Sequence, residues 1–322
     1  MDTVTQAALG ASIALAGWRS LGLRGMAFGA ICGLLPDLDV VLSVGDPWRG
    51  MLTHRGASHS LLVLPWVAVP VGWLAWVSLG RGEGAWTRWA WLALWGLVTH
   101  PLLDVFTSYG TQLLAPFSRH RFAFDGVAIV DPIATLPLLA AVALGLRGRG
   151  ERFARAALGW MVVYIGLGAA MTRVALHQAE GMLAAEGFEP VALRAPIPIL
   201  FTPLRRITAR DATGELRVGM HAIWAPERTR LLSVAPPDQP QIQAALQTEQ
   251  GKLLVWFSDG FLSVDEGDGL VLLDARYGLF SDARWTPFRA RLVGGELQVM
   301  DRRQPMDGKA EWRAGLELMF GP

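Results

Sequence analysis

The sequence predicts a mainly α protein: a polytopic transmembrane helix bundle followed by a small β-rich C-terminal domain. Three observations carry this. Hydrophobic residues make up 52% of the 322 positions, while charged residues make up only 18%, a balance typical of membrane helices. Apolar runs near the ~20 residues that a helix needs to cross a ~30 Å hydrocarbon core recur through the first half. After about residue 178 the pattern changes to short apolar/polar alternation between glycine turns.

Four segments have spanning length and composition: Leu61–Leu79, Ala85–Thr99, Ile129–Leu146 and Ala156–Leu176. Two shorter ones, Val4–Gly17 and Gly22–Pro36, are rich in closely spaced glycine, which lets helix backbones approach tightly in lipid. The N-terminal stretch carries Asp2 and has no basic leader, so it reads as retained. Arg19, Arg24, Arg81, Arg88, Arg147, Arg149, Arg152 and Arg155 fall in one set of connections. The other set holds only Arg49, Arg55, Arg119 and Arg121. The positive-inside rule makes the first set cytoplasmic and places the C-terminal domain outside. The predicted domains are residues 1–178, a proline-marked linker over 179–203 and a β-rich domain over 204–322. "ELRVGMHAIWA", "KLLVWFSDGFLSV", "LVLLDARYGLF" and "FRARLVGGELQVM" are its expected strands. A net charge of +1 gives no ground for nucleic-acid binding. The single cysteine, Cys32, excludes an intrachain disulfide and says nothing about redox compartment.

The polar residues inside this apolar frame are few and ordered. "LLPDLD" puts Asp37 and Asp39 at the outer end of the second segment, and "THRGASHS" puts His54, Arg55 and His59 at the outer start of the third. "THPLLD" puts His100 and Asp104 at the outer end of the fourth, "IVDP" puts Asp131 at the outer start of the fifth, and Asp2 and Gln6 open the first. All fall on one predicted membrane face. Imidazole and carboxylate together are the ligands of zinc, manganese or iron-type ions. His100 and Asp104, four apart, share a helix face. Gly56 suggests a turn that lets His54 and His59 both point inward. Each cluster alone has a structural reading: "PDLD" as a helix-ending turn, His-x3-Asp as a satisfied buried pair, "HRGASHS" as an interfacial loop. Ionisable groups gathered at one depth of a bilayer are costly and mark function.

At "LLPDLD", "HRGASHS" and "THPLLDVFTSYGTQLLAPF" the chain resembles the YdjM-type family of membrane-bound, metal-dependent hydrolases, over about residues 1–145. The resemblance implies a metal-binding role for His54, His59, His100 and Asp104, with Asp37 and Asp39 as further candidates. Many members carry His where this chain has Gln6, a poor transition-metal ligand, which bears on a second ion. A looser similarity links Asp39, His54, His100 and Asp104 to zinc-dependent phospholipase C and related nucleases.

The expected activity is a metal-dependent hydrolase of a bacterial-type inner membrane, acting at the outer interface on a lipid or lipid-linked phosphoester. Asp39, His54, His59, His100 and Asp104 hold the divalent ion, with zinc ahead of manganese or iron. Asp37 or Asp131 orients ligands or takes a proton, and Arg55 stabilises phosphoryl charge. The alternative is a non-enzymatic membrane protein, either a metal carrier or a scaffold whose β domain binds a partner.

Overall fold

The computed structural model describes residues 1–80, 84–198, 204–267, 269–278 and 286–300, with positions 313, 317 and 318. Arg81 of the predicted cytoplasmic set and the tip Asp268 lie outside them. Nine α-helices are described: α1 Thr3–Gly17, α2 Gly22–Leu34, α3 Pro47–Thr53, α4 Leu64–Leu79, α5 Thr87–Asp104, α6 Pro132–Leu146, α7 Glu151–Ala185, α8 Pro240–Leu246 and α9 Glu249–Phe257. Eight strands follow α7: β1 Ala192–Arg194, β2 Leu204–Arg210, β3 Leu216–Ala222, β4 Leu232–Val234, β5 Leu262–Asp265, β6 Val271–Asp274, β7 Arg289–Val293 and β8 Glu296–Val299. Two compact units result, one of residues 1–45 with 53–169 and the other of 46–52 with 170–322.

The first unit is helical. Each of the six apolar segments contains a helix (α1, α2, α4, α5, α6 and α7), and α1 packs on α2 while α4 packs on α5. Among the described residues, two helical stretches are long and apolar enough to cross a bilayer, Arg19–Ser43 and Glu151–Ala185, and a third is if Pro47–His59 and Leu64–Leu79 form one span bent by 71°. The buried core includes Leu9, Ile13, Phe28, Cys32, Trp89, Leu92, Leu97 and Leu138. Large apolar side chains such as Trp66 and Val162 are instead exposed on the outside, as lipid-facing residues are. Arginines gather at one end of this bundle. Arg19 pairs with Glu151 at 2.9 Å, Arg24 donates to the Leu79 carbonyl at 3.0 Å, and Arg155 donates to the Ala16 carbonyl at 3.4 Å. These contacts involve the end of α1, the start of α2, the end of α4 and the start of α7. The Asp and His motifs occupy the opposite ends of the same helices.

The second unit contains two four-stranded antiparallel meanders, in the order β1-β2-β3-β4 and β5-β6-β7-β8. Gly294 and Gly295, at φ 59° and 89°, close the β7–β8 hairpin between Val293 and Glu296, where a two-residue turn requires left-handed backbone. Leu216, Val218, Phe261 and Ala275 form one of its core clusters. Two expectations are corrected here. "KLLVWF" is the helix α9, capped by Thr248 accepting from Gly251 N, and the strand begins only at Leu262. Residues 179–203 are also not a bare linker, since α7 continues to Ala185 and Ala192–Arg194 pairs with Thr208–Arg210.

The second unit also buries charge and an imidazole. The Arg276 guanidinium, almost fully enclosed, bonds both Asp274 oxygens (2.7 Å to Oδ2) and Asp259 Oδ2 (2.7 Å). His221 is fully buried, with Nδ1 2.8 Å from Thr229 Oγ1 and Nε2 2.8 Å from Gln178 Oε1. Burial, and then the charge of Arg205, lower its pKa from 6.5 to about 4. The unfolded chain therefore binds the proton first as pH falls. Stability is full above about 6.5 and declines as pH drops toward 4. The unfolding midpoint of the wild type should fall between pH 7 and pH 5 more than that of His221→Gln; parallel pH profiles would contradict this.

Candidate metal centre

The end of the helical unit opposite the arginines gathers residues from four chain segments. Asp37 and Asp39 lie on the 3₁₀ stretch Leu35–Ser43 that continues α2. His54 and Arg55 follow α3, His59 ends the 3₁₀ turn Ala57–His59, and His100 and Asp104 lie on the last turn of α5. Pro101 lies inside α5 and does not end it. The reversal between His54 and His59 exists, but its left-handed residue is Arg55, at φ 59°, and not Gly56. A non-glycine residue there is strained. Its backbone is fixed on both sides: Arg55 N donates to Asp39 Oδ2 at 2.9 Å, and its carbonyl accepts from Gln112 N at 2.9 Å.

The two buried histidines have assignable tautomers. His100 Nδ1 lies 2.6 Å from the Gly33 carbonyl, which can only accept, so Nδ1 carries the proton. Ser58 Oγ donates to Asp39 Oδ2 at 2.6 Å and is therefore free to accept from His59 Nδ1 at 2.9 Å. In the neutral rings both Nε2 atoms are then bare, and they face each other 3.1 Å apart. Two lone pairs at that distance repel unless a proton or a metal ion lies between them. Asp37 Oδ1 stands 3.4 Å from each Nε2, and Asp104 Oδ2 stands 3.5 Å from each. Donors about 2.0–2.1 Å from one ion at the tetrahedral angle are about 3.3–3.4 Å apart. The five measured separations are therefore the edges of a cage that could hold a metal ion. Asp104 Oδ2 is fully buried and accepts no hydrogen bond among the described residues, as expected of an oxygen reserved for a cation.

The surroundings hold these donors in place. Asp104 Oδ1 accepts from Gln6 Nε2 at 3.0 Å and contacts the Met1 backbone nitrogen. Gln6 is buried at the site but its amide bonds Asp104 and the His100 carbonyl. Arg55 Nε lies 3.0 Å from Asp104 Oδ2, and its Nη1 donates to Thr107 Oγ1 at 2.8 Å. A second donor group adjoins the first. Asp37, Asp39 and His54 present ligand atoms within 4.8 Å of one another, as do Asp37, His59, His100 and Asp104. His54 Nδ1 is 2.8 Å from Asp39 Oδ1.

Six of the eight residues expected from sequence thus form these two groups. Arg55 was expected to face a phosphoryl group, but it is 5% exposed and held by Asp104. Its side chain is directed inward by the same left-handed turn. Asp131 stands apart: it caps α6, accepting from Ile133 N and Ala134 N, and takes the Tyr164 hydroxyl at 2.7 Å. The Asp-Pro start of α6 is itself a cap signature. Sequence reasoning did not single out Ser58, Thr107 or Tyr109. The Tyr109 ring meets His54 edge-on at 5.3 Å and lies under both Arg55 and Arg121, at 5.0 and 4.9 Å. Its place five residues after Asp104, in a chain with three tyrosines, was the available signal.

A Bacillus subtilis (strain 168) protein described as "Uncharacterized protein YfhP" is 29% identical over 113 residues, covering 35% of this chain and 34% of that protein. The match thus spans about a third of the relative's length. No solved structure matches. The YdjM inner membrane protein family matches residues 1–175, a span that includes every residue of both donor groups. Taken with the apolar helices, that match identifies this membrane-associated chain as a member of the YdjM inner membrane protein family.

Proposed function

We propose that this chain is a membrane-embedded, metal-dependent hydrolase that cleaves a phosphoester of a lipid or lipid-linked substrate at the outer membrane–water interface. The observation behind this reading is the pair of bare imidazole nitrogens 3.1 Å apart, flanked by two carboxylates at 3.4–3.5 Å. Two nitrogens and two oxygens at tetrahedral spacing favour zinc over magnesium or calcium, which take more oxygen donors at longer or octahedral spacing. When bound, the cation would lower the pKa of a water and polarise the scissile bond.

The chain's own residues supply the rest. Gly33 and Ser58 fix the imidazole tautomers, and Gln6 and Arg55 fix Asp104, as outer partners of metal ligands do. The Asp37 side chain is 26% exposed while those of His59, His100 and Asp104 are enclosed. Asp37 therefore marks the open side, where a water can enter. Arg121, stacked on Tyr109 beside His54, offers positive charge to an anionic head group on that side. A site at one end of an apolar bundle suits a substrate that arrives through lipid.

One observation favours a second reading, a non-enzymatic membrane metal protein. Four protein donors close the cage, and closed sets are usual for structural ions, whereas catalytic zinc keeps a position free. The discriminating experiment uses full-length protein in detergent, stripped of metal and reloaded, against a panel of lipid phosphoesters. Phosphate or head-group release that follows reloading supports the hydrolase. Full metal occupancy with no release across the panel supports the structural ion. Sidedness has its own test. A periplasm-active reporter fused after Pro322 should be active, because the arginine-rich ends belong in the cytoplasm; activity only of a cytoplasmic reporter would move the site to the inner leaflet.

A further inference from the structure

We infer that the centre binds two divalent cations bridged by the Asp37 carboxylate, the outer one taking Asp39 and His54. This rests on the metal-dependent reading above and extends it. Asp37 is the one residue common to both donor groups. His59, His100 and Asp104 are buried, whereas the shared Asp37 and the outer His54 are partly exposed.

The ligand carboxylates share one arrangement. Asp104 has one oxygen, Oδ1, held by Gln6, while Oδ2 turns to the histidine pair. Asp39 repeats the arrangement: Oδ2 is held by Arg55 N at 2.9 Å and Ser58 Oγ at 2.6 Å, and Oδ1 turns to His54 Nδ1. In each case hydrogen bonds anchor one oxygen while the other faces a histidine nitrogen, and Asp104 Oδ2 also pairs with Arg55 Nε at 3.0 Å. A carboxylate bridge matches two ions about 3.5–4 Å apart, the spacing that clamps both oxygens of an in-line displacement. It also resolves the closed inner cage. Three protein donors at the outer ion leave a position for water and for a phosphoryl oxygen, so the inner ion is the anchored one and the outer ion is the reactive one. Gln6 is not part of the outer set, so this second site does not depend on it.

The test is binding stoichiometry, independent of turnover. Full-length, metal-stripped protein in detergent is titrated with Zn²⁺ by equilibrium dialysis and with Mn²⁺ by electron paramagnetic resonance. Wild type should take two ions per chain and give an exchange-coupled Mn²⁺ signal. His54→Ala and Asp39→Asn should each take one ion and lose the coupling, with circular dichroism unchanged. Asp37→Asn should lose the coupling even where both ions are retained at high concentration. One ion in wild type, unchanged in His54→Ala, would overturn the two-ion centre while leaving the single-ion hydrolase intact. No ion in wild type would overturn both, and two ions retained by His54→Ala would overturn the outer ligand assignment.

Discussion

On the proposed hydrolase reading, replacing His100 with alanine should remove the inner ion, free the shared Asp37 from it and lower hydrolysis by about a thousandfold, since an intact metal centre supplies several kcal/mol of transition-state stabilisation. His100 is fully buried and contributes one of the two facing nitrogens. Its loss breaks the cage and also strands the Gly33 carbonyl, at a cost of about 1–3 kcal/mol. The fold should survive, because the bundle is held by helix packing and not by this ring. His59→Ala should behave alike, since its Nε2 is the other half of the pair. His177→Ala is the control: its ring is 90% exposed and 3.9 Å from Glu180 on the same helix, so metal content and rate should not change. Metal analysis and rate are measured on the same detergent preparations. A His100→Ala protein that keeps its ion and its rate would defeat the assignment.

The motifs were legible because membranes leave few innocent places for ionisable side chains. Asp37, His59, His100 and Asp104 come from segments up to 67 residues apart, counting 104 minus 37, yet helix direction alone puts them at one end. Arginine positions gave that direction before any contact was known, and Arg19, Arg24 and Arg155 do gather at the opposite end. What stayed illegible was orientation. Nothing in "THRGAS" says that residue 55 takes the left-handed backbone, so a cation beside two histidines read as a substrate clamp. Its inward turn makes it a buried partner of Asp104 instead. Asp131 read as a site residue because the arginine pattern placed it at the same predicted level, while its side chain caps α6 and meets Tyr164. "KLLVWFSDGF" failed for another reason: its apolar run fits either period. The break at Asp259–Gly260, with φ 52° and 75°, divides a helix from a strand that alternation had merged.

The α1–α2 crossing carries the last prediction: Gly10→Leu should prevent the helical unit from assembling. A Cβ at Gly10 would come 2.0 Å from the Gly29 carbonyl oxygen, one at Gly29 would come 2.4 Å from the Gly10 oxygen, and one at Gly33 would come 2.3 Å from the Gln6 oxygen. These are backbone clashes along three successive contacts, and no side-chain rotation relieves them. The small-residue seam lets the helices touch backbone to backbone. The consequence reaches the site. Gln6 on α1 holds Asp104, and Gly33 on α2 holds His100, so parting the helices pulls two ligand supports away from α5. Gly10→Leu should therefore lose both the thermal unfolding midpoint and the bound metal. Gly33→Ala, whose Cβ meets the Gln6 carbonyl oxygen at 2.3 Å, should part the same helices and lose midpoint and metal together. Gly17, at the exposed end of α1 with nothing within 4 Å of an added Cβ, supplies the matched control. Gly17→Leu should leave midpoint and metal unchanged. If Gly10→Leu melts with Gly17→Leu and retains its ion, the helices do not meet along this seam, and the support it lends to His100 and Asp104 must come from elsewhere.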